Sequence, residues 1–308
     1  MTRDVAGRGY SYVREVFRFS WPEAKQILRY WSQTEVHVFS FSIAANVLLS
    51  FYPFLLVMIS LCRQLLQWPA AEEAIYTAIR DYFPGTTGTF LAYNLPINYA
   101  ESVRKLEWVS LLLLLFTANG IFMPLEVALN RAWAVKENRS FGKNQAISMG
   151  MILGCGALAV LSTTFTAMNQ QLFGFALGEW PELLKYLGVG AFKVASLPIT
   201  ILILFLIYWL LPNTEVPPKL ILPGAIRVGV ALELLKWVNL LVWPFVNAKL
   251  KREYGVFVNS ATILIWSFMA GMVVLAGADA SARRARMIQA GVDPDEQPSL
   301  GPGARWLT

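Results

Sequence analysis

Six long apolar stretches, separated by shorter polar segments, dominate the chain. They cover residues 36–62, 106–131, 145–172, 188–211, 222–247 and 258–281. A helix rises about 1.5 Å per residue, so roughly 20 apolar residues cross the hydrocarbon core of a bilayer, which is about 30 Å thick. The pattern predicts an all-α, polytopic membrane protein with six transmembrane helices in one bundle over residues 36–286.

Three flanking segments have patterns of their own. In residues 1–35, apolar positions alternate with basic ones at helical spacing, which predicts one or two amphipathic helices that lie on the inner leaflet or pack on cytosolic loops. In the loop at 63–105, Ile75 and Ile79 belong to a four-residue repeat that predicts a short periplasmic helix. The Pro/Gly-rich residues 287–308 predict a disordered cytosolic tail.

Composition agrees with a membrane location. The chain has 308 residues, of which 56% are hydrophobic and 15% charged, against about 25% charged in ordinary soluble domains. Its mean hydropathy is +0.48. The net charge of +6 is explained by cytosolic loops rich in lysine and arginine, so no nucleic-acid partner is predicted. The segments on the same side of the membrane as the N-terminus hold more lysine and arginine than the segments on the opposite side. This bias predicts that both termini lie in the cytosol.

Few side chains are suited to catalysis or metal binding. The chain has one histidine, His37, and two cysteines, Cys62 and Cys155, both within apolar stretches. A metal-dependent nuclease needs clustered histidine or carboxylate ligands, and no nucleotide-binding or hydrolase motif is present. The sequence therefore predicts no enzyme, no catalytic residue, no metal site and no cofactor.

The polar residues inside the predicted spans are the candidates for function. An isolated charge at the bilayer centre costs about 2.5–3.5 kcal/mol on insertion scales. Glu233 and Lys236 lie three residues apart on one predicted helix, so their side chains can touch. They form either a site for a substrate headgroup or a proton, or a structural pair that fixes helix register. The candidate cavity residues are Asn119, Glu126, Arg227, Glu233 and Lys236.

Other polar and small residues are interpreted as structural. Glu126 shares a helix face with Asn130, beside Arg131, and a contact between Glu126 and Arg227 on the fifth span would satisfy both charges. Asp279 either joins this cluster or pairs with the arginines that follow it.

Backbone features inside the spans have structural interpretations as well. Pro53 interrupts the first predicted span, and Ser50 is placed to bond a carbonyl that the proline frees. Gly150 and Gly154 form a small-xxx-small pair typical of helix packing. Asn46 and Asn119 are expected to make hydrogen bonds between helices.

Several short motifs follow one another in order over roughly residues 36–286. They are Ser50-Phe51-Tyr52-Pro53, Ala128-Leu129-Asn130-Arg131-Ala132-Trp133, Leu211-Pro212-Asn213, Leu222-Pro223-Gly224-Ala225, Leu232-Glu233-Leu234-Leu235-Lys236, Tyr254-Gly255 and Gly277-Ala278-Asp279. Together these motifs resemble the YihY/BrkB family of bacterial inner-membrane proteins. The chain departs from the family in having Ala45-Asn46 where aromatic residues are usual, and Asp279 where glutamate is usual.

The resemblance implies a six-helix fold in the bacterial inner membrane with both termini in the cytosol. It implies little chemistry, because members have been called ribonuclease BN, virulence factors or serum-resistance factors. We expect either a transporter or envelope-lipid-handling protein with a polar intramembrane cavity, or a membrane scaffold or morphology factor that transports nothing. Ribonuclease activity is a distant third. The expected partners are membrane lipids and a lipid or small-solute substrate; the sequence makes no prediction of the oligomeric state.

Overall fold

The computed structural model describes residues 21–82, 112, 120–135, 139–176 and 197–289. These residues are helical, apart from short connections, as predicted. We number the helices in chain order: α1 Trp21–Trp31, α2 Thr34–Ser60, α3 Pro69–Tyr82, α4 120–132, α5 Phe141–Ala176, α6 Leu197–Leu210, α7 Pro218–Tyr254 and α8 Val258–Gln289. A π-helical turn, Leu61–Leu65, follows α2, and a 3₁₀ turn, Gly255–Phe257, joins α7 to α8.

Three of these helices are long and apolar enough to cross a bilayer: Thr34–Gln64, Gly142–Ser162 and Val258–Ile288. The apolar helix Leu197–Leu210 is shorter than a full span. These elements agree with four of the six predicted stretches, and α7 covers a fifth. The second stretch is described only at residue 112 and from residue 120 onward, so the count of six stays a prediction.

The bundle has two apolar cores, one toward each end. Helix α2 packs against α8, α8 against α7, and α7 against α6, while α3 packs against α5. The larger core lies at the end where α1 is found, which we call the α1 end, and includes Leu129, Tyr208 and Leu275. The smaller core, around Met58, Cys62 and Ile75, lies under α3 at the opposite end, which we call the α3 end.

The flanking helices agree only partly with prediction. Helix α1 exists, but its Trp31 indole nitrogen donates to the Met272 carbonyl (3.0 Å), so this part of the N-terminal segment packs on the bundle. Burial and then the nearby Asp279 carboxylate raise the pKa of Tyr30 on the same helix. A helix does follow the first stretch, as α3, with Ile75 and Ile79 buried. Helix α8 continues to Gln289, past the predicted domain boundary at 286.

A glycine permits close packing where α7 crosses α8, while the predicted glycine pair on α5 meets no described atoms. A Cβ atom on Gly277 of α8 would lie 1.9 Å from Val228 Cγ2 of α7, so only glycine permits this spacing. In contrast, a Cβ atom on Gly150 or Gly154 would meet no described atom within 4 Å. No described residue packs on this pair, so its role in helix packing stays a prediction.

Ser50 and Asn46 of α2 bond carbonyls of their own helix. The Ser50 hydroxyl donates to the carbonyls of Asn46 (2.7 Å) and Val47 (3.3 Å). It does not bond the carbonyl of Leu49, which loses its usual donor at Pro53. Asn46 donates to the Ser42 carbonyl of its own helix (2.8 Å), and its side-chain amide also lies against Gly120 of α4, so a bond between helices stays a prediction for this residue.

Candidate functional site

A cavity of about 450 Å³ lies where six helices converge. Phe51, Phe54, Leu55 and Met58 of α2, together with Ile75 and Ile79 of α3, form its apolar wall. Ala159 of α5, Thr200 of α6 and Ala270 of α8 complete three further sides, while α7 contributes a more polar face. Its volume lies within the range of about 300–1,000 Å³ that is usual for small-molecule sites.

The polar face of the cavity is built around the predicted pair on α7. Lys236 Nζ lies 2.7 Å from Glu233 Oε1, which confirms that the two side chains touch. Their side chains keep 20% and 16% of their surface exposed, so they are mostly buried but not sealed from the cavity. Because a three-residue separation on a helix places two side chains on one face, the local sequence alone explains this geometry.

An indole N–H is buried beside the cavity. Trp266 of α8 lines the cavity, and its Nε1 atom is buried without a hydrogen-bond acceptor among the described residues. A buried donor left in this state costs free energy, so an acceptor placed here by a ligand would be favoured. Asn239, one turn beyond Lys236, lies on the same wall.

Helix α3 covers the cavity from the α3 end. Ile75 and Ile79 face the cavity, while an ion pair between Arg63 and Glu72 ties the start of α3 to the π-helical turn, with Nη2 and Oε1 2.5 Å apart. The Tyr76 hydroxyl also approaches Glu72 Oε1 (3.4 Å). Burial raises the pKa of Tyr76 to about 12, so the hydroxyl keeps its proton near neutral pH and stays a donor.

Two other candidate residues do not belong to the cavity. Arg227 pairs with Glu23 of α1 at 3.6 Å, and Glu126 accepts hydrogen bonds from the side chains of Asn130 and Asn144. The predicted contact between Glu126 and Arg227 is therefore wrong. It assumed that the two charges needed each other, whereas α1 supplies an anion and two amides supply donors.

Arg139 and Asn130 connect α4 to the loop after α6. Asn130 Oδ1 accepts from the Asn213 N–H (2.7 Å), and Arg139 Nε donates to Asn213 Oδ1 (3.0 Å). The remaining Arg139 nitrogens donate to the carbonyls of Leu210 (3.1 Å), Leu211 (3.1 Å) and Pro212 (2.7 Å). A cation thus bonds the free carbonyls at the C-terminal end of a helix, where the helix dipole also favours positive charge.

A larger groove, about 870 Å³, lies beside this network. It is lined in part by Arg139, Gly150, Trp209 and Glu215. Since the Arg139 guanidinium already bonds three carbonyls and an amide, few of its N–H donors are left for a ligand there. We therefore regard the smaller cavity, with its ion pair, as the candidate site.

The remaining candidate residues have structural surroundings. Asp279 pairs with Arg283 four residues later, which agrees with one of its two predicted roles. Arg131 pairs with Glu35 at the start of α2. Asn119, a candidate cavity residue, lies outside the described residues.

Sequence reasoning missed the aromatic and covering parts of the site. In the sequence, Trp266 and Phe54 are only apolar positions of a predicted span. Apolar periodicity is the same for residues that line a cavity and for residues that pack in a core. The role of Arg139 had a weak signal: a cation follows one apolar stretch, and bonding of helix carbonyls by such a cation is common.

The family described as "Virulence factor BrkB" has a sequence model that matches residues 27–299 of the chain. A UPF0761 membrane protein of Acinetobacter baylyi is 29% identical over 220 residues, which are 69% of this chain and 50% of that protein. A UPF0761 membrane protein of Pseudomonas aeruginosa is 28% identical over 238 residues, which are 76% of this chain and 55% of that protein. The chain thus spans about half the length of these curated relatives. No solved structure matches it.

Proposed function

The chain belongs to the BrkB family of membrane proteins, as its motifs predicted, and from that premise we propose that it moves or handles a lipid or small solute through the cavity on α7. We place it in the bacterial inner membrane with six spans and both termini in the cytosol. Reporter fusions at Thr308 test this orientation, and a periplasmic signal would contradict it.

The observation that carries the proposal is an ion pair inside an otherwise apolar cavity. Glu233 and Lys236 face a volume of about 450 Å³ instead of being enclosed by packed side chains. Charged residues at membrane depth are costly, and where they line a cavity they often mark a substrate or ion pathway. We propose no catalytic step, because the pair, a threonine and an amide form no recognised nucleophile–base arrangement.

A second candidate function is a membrane scaffold without transport. It is favoured by the polar contacts at the α1 end, where Arg139, Asn130 and Asn213 hold helices in place. In that case the pair on α7 only fixes helix register. Replacing a buried pair by apolar residues of similar size is often neutral or stabilising, so a scaffold would tolerate its removal.

The double variant Glu233→Leu/Lys236→Met distinguishes the two proposed functions. We expect this double variant to insert and to unfold at the wild-type temperature or slightly above, because neither charge is left unmatched. We also expect it to fail to restore the phenotype of a deletion strain. The single variant Glu233→Gln removes the carboxylate partner of Lys236 and should lose roughly 1–3 kcal/mol of stability.

A matched control lies on the same helix. Lys249 and Glu253 are an exposed pair 3.9 Å apart, so Lys249→Met/Glu253→Leu removes the same charges outside the cavity and should leave complementation intact. Full complementation by the cavity double variant would contradict transport and support the scaffold.

A further inference from the structure

The charges that line the cavity cancel one another. Glu233 and Lys236 are the two charged side chains among the described residues of its wall. A ligand with net charge would engage one of them and leave the other buried and unmatched, which is strongly unfavourable. A ligand carrying both charges can replace the pair contact completely, with its anion at Lys236 and its cation at Glu233.

The remainder of the wall fits a hydrocarbon chain. Phe51, Phe54 and Met58 of α2 face Ile75 and Ile79 of α3 across the cavity. Such a wall is as apolar as the lipid tails of a bilayer, so a hydrocarbon chain can enter it at little cost. A volume of about 450 Å³ is near the lower end of the range for small-molecule sites, so it suits one chain with a small polar group better than a two-chain lipid.

The indole of Trp266 indicates which polar group the ligand carries. Its Nε1–H is buried and has no acceptor among the described residues, and the Trp266 side chain lines the same cavity as Lys236, so a ligand oxygen that enters beside the indole would supply the acceptor. An anionic group with several oxygens can accept from both donors at once. A carboxylate or phosphate linked to an ammonium group meets this requirement while its net charge stays near zero.

We infer that the cavity binds a zwitterionic amphiphile with a single hydrocarbon chain, whose anion contacts Lys236 and Trp266 and whose cation contacts Glu233. This inference rests on the proposed function, because it takes the cavity to be the substrate site. It adds the chemical class of the substrate and assigns Trp266 to its recognition.

Photo-crosslinking of the full-length protein tests the inference. The protein is reconstituted in phosphatidylglycerol vesicles with a lysophosphocholine that carries a diazirine in its chain. Two comparison probes have the same chain, one with a phosphate group alone and one with a trimethylammonium group alone. We expect the zwitterion to label the peptide containing Phe51 and Met58 about tenfold more than either comparison probe, the effect of losing one charge-assisted contact.

Variants of the pair decide whether the charges cause this preference. Glu233→Leu/Lys236→Met should abolish the preference. The exchanged pair Glu233→Lys/Lys236→Glu should retain most of it, because a zwitterion can reverse its orientation. Lys249→Met/Glu253→Leu, which removes an exposed pair, should label as the wild type does. Trp266→Phe should weaken labelling by the phosphate-containing probes and leave the trimethylammonium probe unchanged.

Three results would overturn the inference. Equal labelling by the phosphate probe would indicate a site for anions. Labelling confined to exposed residues such as Leu241 and Phe245 would indicate ordinary lipid contact. If glycerophosphocholine, which has no hydrocarbon chain, inhibits labelling as strongly as unlabelled lysophosphocholine does, the ligand would be a solute without a chain.

The inference and the proposed function fail in different ways. If the cavity double variant fails to complement but the probes show no preference, the proposed function stands and the substrate class is wrong. If the zwitterion is preferred but the double variant complements fully, the cavity binds such a molecule and the proposed transport role is wrong.

Discussion

Polar contacts at the α1 end join different helices, while those at the α3 end are local along the chain. At the α1 end, Arg139 bonds the loop after α6, Arg227 pairs with α1, and the Trp31 indole bonds the α8 backbone. At the α3 end, Arg63 pairs with Glu72 only nine residues away, and Lys236 with Glu233 only three away. The cavity, with its apolar walls, lies toward the α3 end.

The difference indicates which part of the bundle can change shape. Contacts between helices that are distant in sequence resist separation of those helices, while contacts within one helix or turn move with it. Regions with fewer buried contacts between elements are the first to open locally. The α1 end therefore has the polar contacts that resist separation of the helices, whereas α3 is held by its packing on α5 and by one ion pair between residues close in sequence.

Loss of Arg139 should have the largest effect on stability. Arg139→Leu leaves the carbonyls of Leu211 and Pro212 without donors where both residues are almost fully buried. We expect a loss of about 3 kcal/mol, since each unsatisfied buried group costs roughly 1–3 kcal/mol. Thermal unfolding of the detergent-purified protein measures it. Arg139→Lys, which keeps the charge but makes fewer bonds, should fall in between.

Arg131 is the matched control for Arg139. It pairs with Glu35 at the same end, but the two side chains are 64% and 53% exposed. Arg131→Leu should therefore cost less than about 1 kcal/mol. Equal losses for the two arginines would show that burial of the bonded carbonyls is not what holds the α1 end together.

The α7–α8 crossing should be the next most sensitive position. In Gly277→Ala, the new Cβ would lie 1.9 Å from Val228 Cγ2 and 3.1 Å from the Tyr208 hydroxyl. Overpacking of this kind costs about 1–3 kcal/mol. The added substitution Val228→Ala removes the atom in conflict and should recover part of the loss in the same unfolding measurement.

Gly154 provides the comparison for this prediction. A Cβ there meets no described atom within 4 Å, so Gly154→Ala should be neutral or should stabilise by up to about 1 kcal/mol through helix propensity. A destabilised Gly154→Ala would instead indicate that this face of α5 is covered, for example by a second copy of the chain.

The sequence predicted helices well because spanning length and apolar content are local properties. The Glu233–Lys236 pair was predictable for the same reason, since its geometry follows from one helix. Partners between helices were not predictable: Arg227 pairs with Glu23, just over two hundred residues earlier, while Glu126 is satisfied by neutral amides. Periodicity defines a face but not the residue opposite it.

The two glycine interpretations illustrate the same limit. Gly150 and Gly154 have the spacing of a packing motif, yet a Cβ on either would meet no described atom within 4 Å, whereas Gly277, four residues before Ser281, has the same spacing and packs closely on Val228 of α7. A small-xxx-small pattern makes close packing possible but cannot specify which helix arrives there. The cavity was missed in the same way, because Phe51 and Met58 look alike in sequence whether they pack on side chains or face a void.

Breaking the contact that holds α3 should have the smallest effect on stability and a specific effect on access. The Arg63 side chain is 44% exposed, so Arg63→Leu should lower stability by less than about 1 kcal/mol. If α3 opens locally, however, the same change should raise the rate of maleimide labelling of the buried Cys62. The rise should be at most about fivefold, because that is the population shift that a loss of this size allows. Cys155 on α5, away from α3, serves as the internal reference, and its labelling should not change. An equal rise at both cysteines would indicate general loosening of the bundle. An unchanged rate at Cys62 would show that α3 is held by its buried Ile75 and Ile79 instead of by this ion pair.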